Sequence, residues 1–92
     1  AFQHLFGDEE RAYSILLENV SRQQLDCLRA LAEIGGSASM EGNFLRLTGI
    51  ANNSSVQRAM NSLVKKRILF RIGKPYRFTD PFFGEWIAAS RL

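Results

Sequence analysis

The 92-residue chain holds a single cysteine, Cys27, and a single histidine, His4. One cysteine excludes an internal disulfide, and one histidine with no imidazole or thiol partner cannot assemble a metal site. No apolar run approaches the roughly 20 residues of a membrane-spanning helix. The N-terminus lacks the basic stretch and apolar stretch of a secretory leader, so the chain is expected in the cytoplasm. The phosphate-cradling loops G-x-x-x-x-G-K-(S/T) and G-x-G-x-x-G are both missing. No Ser–His–acid grouping has supporting context, and the carboxylates are scattered rather than paired. These absences argue against an enzyme, and against a cofactor or metal bound by this chain.

Acids are missing from one long span. No Asp or Glu occurs between Gly42 and Thr79, which holds Arg46, Arg58, Lys65, Lys66, Arg67, Arg71, Lys74 and Arg77. The acids gather near the start, at Asp8, Glu9, Glu10 and Glu18. Such one-sided basicity suits an anionic partner; the plain alternative is a solvated basic surface.

What is present centres on Gly49 to Asp80. Ser54 and Gln57 have capping-box spacing, preceded by turn-forming Asn52 and Asn53. Val56, Met60, Leu63 and Val64 then form an apolar helical stripe, with Arg58, Asn61, Ser62 and Lys65 on the opposite side. After Lys65-Lys66-Arg67 the period changes. Ile68, Phe70 and Ile72 alternate with Leu69 and Arg71, Gly73-Lys74-Pro75 forms a turn, and Tyr76 to Thr79 alternates again. This spacing predicts a β-hairpin with strands near 68–72 and 76–79.

The flanks complete the pattern. Residues 1–7 have no period, and the lack of an initiator methionine points to a fragment of a longer chain. Residues 8–19 predict a leading helix capped by Asp8, burying Ala12, Ile15 and Leu16, with Tyr13 and Leu17 beside them. Ser21 and Gln24 form a second capping box. In that helix Leu25, Leu28, Leu31 and Ala32 face the core, Cys27 and Ile34 lie on its flank, and Gly35-Gly36 ends it. Ser37–Ser39 is a candidate third strand. Met40–Thr48 predicts a short helix with Phe44, Leu45 and Leu47 apolar, stopped by Gly49. Asp80-Pro81 is a helix start, followed by Phe82, Phe83, Trp86, Ile87 and Ala88. The predicted fold is mainly α with a small β-hairpin (α+β): one winged helix-turn-helix domain over 1–92, with a leading helix at 8–19, the winged helix at 21–79 and a C-terminal helix at 80–92.

Candidate DNA- or partner-binding residues lie on the outward face of the Ser54 helix, namely Ser54, Ser55, Arg58, Asn61 and Lys65, and on the wing at Arg71 and Lys74. In a DNA-reading winged helix this helix enters the major groove. The wing is too short to reach far, so the expectation is weak, salt-sensitive binding of double-stranded DNA with little sequence preference. Phe82, Phe83 and Trp86 are candidates for docking onto a neighbouring domain.

The run FLRLTGIANNSSVQRAMNSLVKKRILFRIGKPYRFTDPFFGEWI resembles the C-terminal winged helix of prokaryotic AAA/STAND-type ATPases. That family tends to show S-(S/T)-V-Q-x-A-x-x-x-L after a glycine turn, then a hairpin and Y-x-x-x-D-P-x-F-x-x-W. The matching residues are Ser54, Ser55, Val56, Gln57, Ala59, Leu63, Tyr76, Asp80, Pro81, Phe83 and Trp86. The sequence departs at Lys66-Arg67, where the family often has a glycine between helix and strand. The resemblance implies a non-catalytic accessory domain cut from a longer ATPase, with ATP and magnesium held only by the upstream part. It also implies that the domain contacts its own ATPase core, another protein or DNA. The alternative is a free-standing winged-helix transcription regulator.

Overall fold

Most of the described helix boundaries are set by identifiable capping residues. The computed structural model describes residues 11–90, and the expectations for His4, Asp8, Glu9 and Glu10 lie outside that range. Helix α1 is seen over residues 11–18. Helix α2, Arg22–Glu33, opens with the predicted capping box: the Ser21 hydroxyl accepts from the Gln24 amide, and the Gln24 side chain accepts from the Ser21 amide, both at 3.2 Å. Gly35 (φ 104°) and Gly36 (φ 87°) turn its end back, their amides bonding to Ala32 and Leu31 carbonyls. Strand β1, Ser37–Ala38, follows. Helix α3, Gly42–Thr48, starts two residues later than the sequence pattern predicts and stops at left-handed Gly49.

Helix α4, Asn53–Lys65, departs from its predicted start. Its cap is Asn52, whose Oδ1 accepts from the Ser54 amide at 2.8 Å. Ser54 therefore lies inside the first turn, and its capping box with Gln57 does not form. Both Asn52 and Ser54 are good caps. Asn52 takes the role here, and the Gln57 side chain is bonded to Tyr76 instead.

The end of α4 has no glycine, yet it closes as α2 does. The Arg67 amide bonds to the Val64 carbonyl at 3.0 Å and the Ile68 amide to the Leu63 carbonyl at 3.1 Å. Arg67 takes the left-handed position (φ 63°) that a glycine usually fills. This turn resets the strand. Strand β2 covers Leu69–Arg71 and β3 covers Tyr76–Phe78, pairing Leu69 with Phe78 and Arg71 with Tyr76. The inward residue of β2 is Leu69, Phe70 lies on the outer face opposite Arg77, and Ile72 falls outside the strand, 61% exposed. The candidate strand at Ser37 is confirmed: β1 pairs antiparallel with β3, giving the order β1-β3-β2.

The core surrounds α2, which packs against α3, α4 and helix α5, Pro81–Ser90. Cys27, Leu28 and Leu31 meet Val56, Met60 and Leu63 there, with Phe44, Tyr76 and Phe83 closing the sides. Cys27 is at the centre rather than on the flank, while Leu25 and Ala32 are half-buried. Leu47 is exposed. On α1 the buried residue is Tyr13, flanked by half-buried Leu17, whereas Ala12, Ile15 and Leu16 face solvent. The Tyr13 ring lies 4.9 Å from Phe83 and 5.4 Å from Trp86. Its large apolar ring and polar tip gain more from that site than a short aliphatic stripe would.

Helices α2, α3 and α4 followed by the β2–β3 wing form a mainly α winged helix, extended by α1 and α5. Among the described residues no helix is long and apolar enough to cross a membrane.

Candidate functional site

Burial of Val56, Ala59, Met60 and Leu63 turns the opposite side of α4 outward. Ser54, Arg58, Asn61 and Lys65 are exposed there, and Ser55 is half-buried. The Arg58 guanidinium donates to Ser55 Oγ at 3.4 Å. Asn61 Oδ1 accepts from Gln57 Nε2 at 3.1 Å, and the same nitrogen donates to the Tyr76 hydroxyl at 2.9 Å. Ser62 is not part of this face. It is half-buried, and its hydroxyl accepts from Gln24 Nε2 at 3.0 Å.

The wing stands beside this face. Gly73 (φ 67°) makes its turn, and the Ile72 amide bonds to the Pro75 carbonyl at 3.2 Å. Arg71 does not extend outward: its Nε donates to the Gly73 carbonyl at 2.9 Å, and its guanidinium lies 5.1 Å from the Tyr76 ring centroid. That is cation–π range. Among the described residues Lys65 and Lys74 have no hydrogen-bond or ion-pair partner.

The basic span divides in space. Lys66 Nζ donates to the Asn19 carbonyl and, at 2.9 Å, to Gln24 Oε1, so this ammonium ties α4 to the start of α2. Arg77 projects from the outer sheet face toward Ser37, and Arg46 bonds to Asn43 on α3. The cations left on α4 and the wing are Arg58, Lys65, Arg71 and Lys74, with exposed Arg67 in the turn between them. The one ion pair among the described residues, Arg22 with Asp26 at 3.4 Å, lies on α2. Among the described residues, therefore, no carboxylate compensates the positive charge of this face.

The three docking candidates separate. Phe83 is 2% exposed and meets Phe78 edge-on at 5.9 Å, so it belongs to the domain's own core. Trp86 is half-buried and stacks on Phe83 at 6.1 Å. Phe82 is 59% exposed. A groove of about 480 Å³ lies elsewhere, between the end of α2, the outer sheet face and α5, bordered by Phe70, Arg77, Gly84 and Glu85.

Burial pushes the Cys27 thiol up to about 12, with the Asp26 charge adding to the effect. Among the described residues no group of His, Cys, Asp and Glu is arranged to hold a metal ion. The sequence pattern missed the parts played by Gln57 and Tyr76. Both stand in the motifs quoted above, but Gln57 reads as a capping partner and Tyr76 as a strand residue, and nothing local signals a bond across 19 positions.

A family model described as a probable winged helix domain matches residues 11–89. No curated protein matches the chain, and no solved structure does.

Proposed function

The chain belongs to the probable winged helix domain family, and from that premise we propose that it is a non-catalytic binding module whose α4 and wing face engages an anionic partner. The observation that carries this reading is the uncompensated charge of Arg58, Lys65 and Lys74, with no carboxylate partner among the described residues. Two partners present suitable anionic surfaces: the phosphates of double-stranded DNA, and an acidic protein surface such as the ATPase core of a longer parent chain. The tail Tyr76, Asp80, Pro81, Phe83, Trp86 supports the ATPase-accessory context. In that context ATP and magnesium belong to the upstream part, and this domain neither binds nor hydrolyses the nucleotide.

A labelled short duplex titrated at low and moderate salt tests the reading. Three or four phosphate contacts give a slope of log affinity against log salt of about −3. Arg58→Ala with Lys65→Ala should flatten it by about 2, one for each lost contact. Absence of wild-type binding even at low salt would remove DNA and leave the acidic protein partner. Micromolar ATP binding by calorimetry would overturn the reading that this domain holds no nucleotide.

The free-standing regulator has one observation in its favour. The exposed first turns of α4 offer Ser54, Arg58 and Asn61, groups able to meet base edges. A regulator should dimerise to read two half-sites, so sedimentation of the domain with and without duplex separates the two.

A further inference from the structure

We propose that Tyr76 and Gln57 are positioning residues that join the wing and α4 into one rigid binding surface; this rests on the basic-face reading above. Tyr76 is 1% exposed, so its own side chain has no direct access to a partner. It nevertheless touches both halves of the face. Its ring lies under the Arg71 guanidinium at 5.1 Å, and its hydroxyl accepts from Gln57 Nε2 at 2.9 Å. Gln57 in turn holds Asn61 Oδ1 at 3.1 Å. A continuous chain therefore runs Arg71, Tyr76, Gln57, Asn61, from the wing to the outward face of α4.

The chain has two physical effects. Arg71, clasped between the Tyr76 ring and the Gly73 carbonyl, loses rotamer freedom before any partner arrives, and a group ordered in advance loses less entropy on binding. Asn61 has its oxygen directed toward Gln57, which leaves its amide hydrogens for the partner. An anionic ligand presents acceptors, so both ends of the chain display donors. Neither Gln57 nor Tyr76 adds charge; they fix where the charge and the donors stand.

The test uses Tyr76→Phe, which keeps the ring beneath Arg71 and removes only the hydroxyl, together with Gln57→Ala and the double variant. The probe is a labelled short duplex titrated at several salt concentrations, with thermal unfolding run in parallel. Tyr76→Phe should weaken binding about threefold to tenfold, the worth of one intramolecular hydrogen bond, and Gln57→Ala, which also releases Asn61, at least as much. The salt slope should stay at the wild-type value, because no phosphate contact is lost. The double variant should be no weaker than Gln57→Ala alone, because that variant already removes the link to Tyr76. A purely structural role would instead lower the melting temperature and leave the affinity of the folded protein unchanged. That result, with wild type binding normally, overturns this inference alone. If wild type does not bind the duplex at low salt, DNA is not the partner, and the positioning role toward it falls as well.

Discussion

Tyr13 donates its hydroxyl proton to Asp80 Oδ2 at 2.8 Å, joining two residues 67 positions apart. Asp80 is shared, because its other oxygen accepts from the Phe82 amide at 3.0 Å and caps α5. One carboxylate thus holds α1 against the rest of the domain and starts the last helix. Tyr13→Phe keeps the ring contacts and should cost about 1.5–3 kcal/mol, as expected for a hydrogen bond to a charged acceptor. Asp80→Ala should cost more, since the cap goes too. Denaturant midpoints for the two variants check this ordering.

Arg67 holds a backbone conformation that costs a residue with a Cβ about 1–2 kcal/mol. Its own amide and that of Ile68 make the two closing hydrogen bonds of the helix end, and a glycine keeps both. Arg67→Gly should therefore stabilise the domain by about 1 kcal/mol, seen as a raised denaturant midpoint with an unchanged slope. A lowered midpoint would show that the Arg67 side chain contributes more than its backbone costs.

Gly84 behaves in the opposite sense. It lies within α5, where alanine is ordinarily favoured over glycine by about 1 kcal/mol. A Cβ there would sit 2.7 Å from Phe78 Cδ2 and 2.9 Å from Cε2. Gly84→Ala should destabilise by about 1–3 kcal/mol, because the buried ring has little room to move. Combined with Phe78→Leu, the loss should be smaller than the sum of the two singles, and a double-mutant cycle measures the difference.

Cys27 sets a pH dependence at the alkaline end. Its thiol is pushed up to about 12 in the fold, against 9.0 for a free thiol. The unfolded chain therefore loses this proton first as pH rises. The contribution is fully present below pH 9 and is lost progressively toward pH 12, at up to about 1.4 kcal/mol per pH unit. Tyrosines and lysines titrate in the same window, so the measurement is a difference: stability against pH for wild type minus that for Cys27→Ala. The wild-type curve should fall more steeply above pH 9. Parallel curves would mean that the thiol titrates alike in both states.

The helices and the hairpin were legible because their signals are local. Ser21 and Gln24, Gly35-Gly36 and Asp80-Pro81 mark their boundaries with side chains only a few residues apart. What escaped depends on contacts between distant residues. Helix α1 offers Tyr13 with Leu17 on one face and Ala12, Ile15 and Leu16 on others, and Asp80 decides which is buried. Phe82 and Phe83 are equally apolar neighbours, and the rings of Tyr13 and Phe78, distant in sequence, make Phe83 the core residue. The basic span reads as one patch along the chain. In space Lys66 serves the α2–α4 contact, Arg77 and Arg46 leave the α4 face, and Arg71 is folded against Tyr76.

The pairing of β1 with β3 bears on how the sheet assembles. Ser37 and Arg77 stand 40 positions apart, and β1 contributes only two residues to the ladder. Closing a loop of that length carries an entropy cost of about 3 kcal/mol from the logarithmic length dependence alone. Two residues of ladder recover little of it. The wing hairpin closes over only a few residues and can form on the microsecond scale. The two-residue β1 ladder thus depends on α3, α4 and the hairpin holding β3 beside the end of α2, and the sheet's shortest strand is its most dependent member.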